Sequence, residues 1–246
     1  KRVTIQGWYK VLRRLISQEV LVKNKKTYSL NVRWILSVAR WAENAEKAHL
    51  GRSPVPALQL PIGRKRLTFH FKNLLEMDAF WQHLLVYIAS QAKKPVNYYC
   101  YLPQFWSYLS HEQAEAQYHK GMREFGVRLF YLIGSNSFLN RWSTQFFHKS
   151  FRYWLHPVPV YKDNRDSYNY IGGYFIKSTV SQETADEIDE LFENVKRLDD
   201  ISPLSIIRIF HGESPCSLTI SRNKIKGEEL KRRVEKFIGK SKDRYI

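Results

Sequence analysis

The chain has 246 residues, 43 % of them apolar and 15 % aromatic, enough for one large core or two smaller ones. It carries 40 Lys and Arg against 23 Asp and Glu, a net charge of +17, and two cysteines far apart, Cys100 and Cys216. No apolar run approaches the roughly 18 to 20 residues of a membrane span, the N-terminus lacks a secretory leader pattern, and two distant cysteines do not make a disulfide framework, so a cytoplasmic protein without a membrane partner is expected.

The charge is unevenly placed. Residues 1–66 hold 15 basic and 3 acidic side chains, 67–221 are nearly neutral, and 222–246 hold 10 basic and 4 acidic. Basic charge confined to segments points to a polyanion that engages those segments. The first of them opens with Thr4, a suitable N-cap, followed by Trp8, Val11, Leu12, Leu15 and Ile16 at the spacing of one helical face. Val20–Lys23 and Thr27–Leu30 are β-prone and flank Asn24-Lys25-Lys26, which reads as a hairpin with a basic tip.

A helix running into a basic hairpin is the second half of a winged helix. The stretch WYKVLRRLISQEVLVKNKKTYSLN resembles the winged helix-turn-helix line of prokaryotic transcription regulators. Trp8, Tyr9, Leu12 and Leu15 match the helix, Leu21 and Val22 the first wing strand, and Tyr28, Leu30 and Asn31 the second. The family's glycine before the wing is replaced by Glu19-Val20. Such modules place two further helices ahead of the recognition helix, so the module is expected to be incomplete at its N-terminus, with its missing helices upstream of Lys1. The resemblance implies that Thr4, Gln6, Gly7, Tyr9 and Lys10 face the major groove of double-stranded DNA. Arg13, Arg14, Lys23, Lys25 and Lys26 would then contact phosphates.

Trp34, Ile35, Val38, Trp41, Ala42 and Ala45 recur at helical spacing, which predicts a helix over 32–49. Its apolar face packs either within the chain or across a homodimer. Residues 1–49 therefore form the DNA-binding segment with its linker helix. The proline- and glycine-bearing stretch 50–65 is a linker, and 66–246 is the body.

The body alternates. Strands are expected at 66–72, 96–102, 127–134, within 151–158, within 168–176 and at 216–221. Helices are expected at 75–91, 104–124, 136–149, 181–198 and 227–238, with 205–210 ambiguous. This is an α/β layered domain with a mixed sheet. The sequences FHFKNLLEMDAFWQHLLVYI, GVRLFYLIG, YIGGYFIKS and ADEIDELFENVKRL are similar to the effector domain of TrmB-like regulators. That resemblance implies a phospholipase D-like fold without catalytic residues, working as a sensor or dimerisation body.

A catalytic relative of that fold would need HxKxxxxD, usually twice. His70-Phe71-Lys72 begins it, but Asp78 falls one place too far and no second copy exists. His111 and His119, near Glu112 and Glu115, read as an ordinary surface pattern. Gly172-Gly173 reads as a turn or bulge. Neither a catalytic set, a metal site nor a cofactor motif emerges. Ser135 and Asn136, between a predicted strand and helix, are candidates for binding an anionic or hydroxyl-rich effector. The expectation is a DNA-binding transcriptional regulator that is not an enzyme. A phosphodiesterase or nuclease using His70 and Lys72, and a nucleic-acid binder without sequence preference, are the alternatives.

Overall fold

The computed structural model describes residues 4–24, 27–31, 34, 66–157 and 159–239. The chain divides into two compact units, Lys1–Gln59 and Leu60–Ile246. The helix expected over 32–49 lies outside the described residues apart from Trp34, which is helical. The expected linker 50–65 lies outside them as well.

In the first unit, α1 (Ile5–Ser17) starts where predicted, with the Thr4 hydroxyl accepting from Gly7 N–H at 3.1 Å. It ends in a Schellman motif: Glu19 N–H donates to Ile16 O and Val20 N–H to Leu15 O, at 3.0 and 2.9 Å. Glu19 takes the left-handed conformation this requires, with φ 56°. The turn that carries glycine in the resembled sequence pattern is made here with glutamate. Strands β1 (Leu21–Asn24) and β2 (Thr27–Leu30) follow as an antiparallel hairpin in which Lys23 faces Tyr28 and Asn24 faces Thr27. Leu12 is the buried side chain of α1, while Trp8 and Val11 of the same stripe stay 57 % and 48 % exposed.

The second unit is a seven-stranded mixed sheet between helical layers. In chain order it contains β3 (Arg66–Phe71), α2 (Leu74–Gln91), β4 (Val96–Leu102), α3 (Ser107–Glu124) and β5 (Val127–Ile133). These are followed by α4 (Phe138–Thr144), β6 (Arg152–Leu155), β7 (Asp166–Ile171), β8 (Tyr174–Thr179) and α5 (Gln182–Asn194). A short 3₁₀ turn, α6 (Pro203–His211), β9 (Cys216–Ser221) and α7 (Lys224–Ile238) complete it. The strand order is β3-β9-β8-β7-β4-β5-β6. β4, β5 and β6 are parallel, and every other neighbouring pair is antiparallel. The carboxyl ends of β3, β8, β4, β5 and β6 consequently point to one edge of the sheet.

Alternation along β4 splits its tyrosines between the two layers. Tyr99 and Tyr101 pack with Leu132, Phe175 and the α7 residues Leu230 and Val234. Tyr98 turns to the other face, where its ring meets Tyr131 edge-on and its hydroxyl donates to Asn169 Oδ1 at 2.6 Å. Gly227 lets α7 lie against the sheet, since a Cβ there would overlap the Tyr170 ring. The expected turn at Gly172-Gly173 joins β7 to β8, with φ 56° and 82°, the signature of a two-residue type I′ hairpin.

Most expected elements are present. The region 205–210 resolves as helix α6, started by Ser202 as N-cap with Pro203 in its first turn. The helix expected over 136–149 stops at Thr144, because Phe147 leaves the helical path to pack on Phe105, Tyr131 and Phe151.

Candidate nucleic-acid interface

The candidate DNA-contacting residues fall on α1 and the hairpin. Gln6, Tyr9, Lys10, Arg13 and Arg14 lie at i, i+3, i+4, i+7 and i+8, and all five are exposed. This stripe lies about 160° around the helix from the one containing Leu12, at 100° per residue. Acidic side chains are absent from residues 4–18, so nothing along the helix offsets its three cations. Thr4 is exposed but its hydroxyl oxygen is occupied as the cap, and Gly7 is half-buried. On the hairpin, Lys23 is exposed with its ammonium 6.0 Å from the Tyr28 ring centre, and Thr27 Oγ1 donates to Asn24 O at 2.8 Å. Lys25 and Lys26, expected at the tip, lie outside the described residues.

The second candidate set lies at the carboxyl ends of β4 and β5. Ser135 Oγ donates to Gln104 Oε1 at 2.7 Å and accepts from Asn140 Nδ2 at 2.7 Å. Asn140 Oδ1 in turn accepts from Phe105 N–H at 2.9 Å. The Asn136 carbonyl accepts from Arg141 at 2.6 Å. Both residues thus brace the β5–α4 connection from within. Beside them a cavity of about 40 Å³ is lined by Asp78, Trp81, Gln104, Ser107, Arg165 and Ser167, among others. That volume accommodates ordered water rather than a metabolite. Trp81 Nε1 is buried there without a hydrogen-bond partner among the described residues.

Behind the cavity wall is a buried polar chain that the sequence did not reveal. The Gln82 amide donates to Asp78 Oδ2 at 2.9 Å and to Glu115 Oε2 at 3.0 Å. Glu115 Oε1 lies 3.2 Å from His119 Nε2, and the two ring nitrogens of His119 also meet the Tyr108 and Tyr131 hydroxyls at 3.1 Å. Burial pushes the Asp78 carboxyl up to about 7 and Glu115 well above the carboxylate range, and it pushes His119 down to about 3. Burial thus works against the charged form of both groups, and Glu115 Oε1, although 3.2 Å from His119 Nε2, has no hydrogen-bond partner among the described residues. Contrary to the surface reading of the sequence, Glu115 is fully buried and His119 nearly so. The amphipathic pattern of α3 gave no sign of this, because the covering side chains come from α2, β5 and the Phe147–Phe151 segment.

His70 and Lys72, the start of the expected phosphodiesterase motif, lie exposed in and just after the edge strand β3. Asp78 lies instead in the buried chain. Among the described residues, no group of three or more His, Cys, Asp or Glu side chains is arranged to hold a metal, and no helix is long and apolar enough to cross a membrane. Both cysteines are free and buried.

No family model matches the chain, and no curated protein matches it in sequence. Solved structures with similar backbones exist. One is a phospholipase D family member, Nuc from Salmonella typhimurium, at 10 % identity and TM-score 0.42, covering 71 % of this chain and 94 % of that one. Another is TrmBL2, an archaeal chromatin protein described as having a novel mode of DNA binding, at 8 % identity and TM-score 0.37, covering 94 % and 80 %. A third is polyphosphate kinase from Porphyromonas gingivalis, at 12 % identity and TM-score 0.42, covering 81 % of this chain and 30 % of that one.

Proposed function

We propose that the protein is a DNA-binding transcriptional regulator whose α1 enters the major groove while the β1–β2 hairpin rests on the sugar-phosphate backbone, as in a winged helix. The observation that carries this reading is the Gln6-Tyr9-Lys10-Arg13-Arg14 stripe, exposed along one face of a helix with no acid between residues 4 and 18. Gln6 suits an adenine edge and Lys10 a guanine or phosphate, whereas Arg13, Arg14 and Lys23 suit phosphates. A homodimer would present two such helices to paired half-sites. The body serves as a non-catalytic scaffold: His70 is exposed on an edge strand, and Asp78 is buried in a separate hydrogen-bonded chain. The small cavity beside Gln104 lends no weight to a metabolite-sized effector.

The test is duplex binding followed by fluorescence anisotropy at several salt concentrations. The wild-type affinity should fall steeply with salt, by about 0.9 in log–log slope per phosphate contact. Replacing Lys10, Arg13, Lys25 and Lys26 together by Ala should abolish binding and leave the melting of the body unchanged. Unaltered binding by that variant overturns the winged-helix reading.

A further inference from the structure

The basic C-terminal segment is not spread evenly around its helix. Arg232, Arg233, Lys236 and Phe237 of α7, with Glu229, follow at i+3, i+4, i+7 and i+8 and line one side of an open groove of about 710 Å³. The other side is the chain leaving β6, at His156, Pro159 and Val160. The opposite face of α7 is buried through Leu230 and Val234, so this orientation is fixed by the core.

The acids of α7 are already engaged. Glu235 accepts from the Tyr99 hydroxyl at 2.7 Å, Glu228 accepts from Tyr170 and pairs with Lys231, and Glu229 pairs with Arg233 at 3.3 Å. Arg233 also lies 4.5 Å over the Tyr161 ring, which holds it flat against the wall. Arg232 and Lys236 are exposed and have no acidic partner among the described residues. The ring of His156 stands edge-on to Phe237 at 4.6 Å and supplies a polar wall opposite the cations. Three cations against one carboxylate, in a groove with an aromatic floor, form a receptor for phosphate oxygens. The negative end of the α7 dipole opposes an anion here, a smaller effect than two unneutralised cations exert on a phosphate backbone.

We infer that the α7 groove is a second nucleic-acid contact, in which Arg232 and Lys236 bind the sugar-phosphate backbone of duplex DNA without reading its bases. The inference depends on the proposed function only for the identity of the polyanion; its residues are separate from those of α1.

The full-length chain carrying Arg232→Gln and Lys236→Gln tests it, alongside the wild type and the α1–hairpin variant, with a labelled duplex of mixed sequence. Roughly three- to tenfold weaker binding is expected, with the salt slope reduced by about two and an unchanged melting temperature, since both side chains face solvent. The loss should be the same for unrelated duplex sequences. Unchanged affinity and slope overturn the inference, and if the α1–hairpin variant has lost binding they leave the winged-helix reading standing. The reverse pattern overturns that reading and keeps the groove. Inorganic tripolyphosphate that at equal phosphate concentration displaces the duplex from the wild type but not from the Arg232→Gln, Lys236→Gln variant would show that the groove takes free phosphates, and would also overturn the inference.

Discussion

Glu19 opens the Glu19-Val20 pair that stands in place of the glycine of the resembled pattern, and its backbone, at φ 56°, shows the cost. A left-handed conformation costs a non-glycine residue about 1–2 kcal/mol, whereas glycine gives back roughly 0.5–1 kcal/mol through its freer unfolded chain. Glu19→Gly should therefore stabilise the α1–β1 turn by about 0.5–1 kcal/mol, read as slower hydrogen exchange at the Val20 amide that closes the motif. Asp78 has the opposite kind of signature, hidden in the core. Its folded value of about 7 lies above the ordinary value of 3.8 for an aspartate, so the native state binds more protons across that interval. Its contribution to stability is present at low pH and is lost as pH rises from about 4 to about 7. His119, lowered to about 3, acts in the other direction over nearly the same range, which masks both in the wild type. Asp78→Asn keeps the oxygen that accepts from Gln82 and removes the titration. Relative to the wild type it should gain on the order of 2 kcal/mol between pH 4 and 7, measured by urea unfolding at each pH.

Among the elements, α7 depends most visibly on one small residue. Gly227→Ala gains up to about 1 kcal/mol of helix propensity but drives a Cβ into the Tyr170 ring, an overpacking cost of about 1–3 kcal/mol. A lower urea midpoint with an unchanged slope is the expected outcome. How far the elements were legible depended on how local their causes were. Strands 96–102 and 216–221 could be bounded from sequence because β-prone runs there end at turn residues. Helix α5 announced itself through Ser181 and its acidic first turn. The early end of α4 did not, because Phe147 is drawn away by aromatic partners from β4, β5 and the β6 approach. The cations of α1 and its cap at Thr4 are legible as local charge and spacing, because both depend on residues within one or two turns. The α7 groove is not, because the charges of 222–246 become a site only once the pairing of Glu228, Glu229 and Glu235 is known.

For the whole molecule, sequence reading reached the α/β class and the mixed sheet but not the strand order. Nothing local to 66–71 or 216–221 says that these two strands are neighbours, or that β9 is inserted between β3 and β8. That insertion has a consequence in time. Among the described residues β3 is an edge strand, and its partner β9 lies about 150 residues later in sequence. At a synthesis rate of about 5–20 residues per second, β3 leaves the ribosome roughly 10–30 s before the strand that completes it. During that interval Phe69 and Phe71 can still pack on the Phe80 ring of α2, but β3 lacks its strand partner β9. In refolding followed by pulsed hydrogen exchange, the β3 amides should be the last of the sheet to gain protection. A nascent chain halted before Cys216 would present an unpaired aromatic strand, the form most exposed to chaperones and to its own kind.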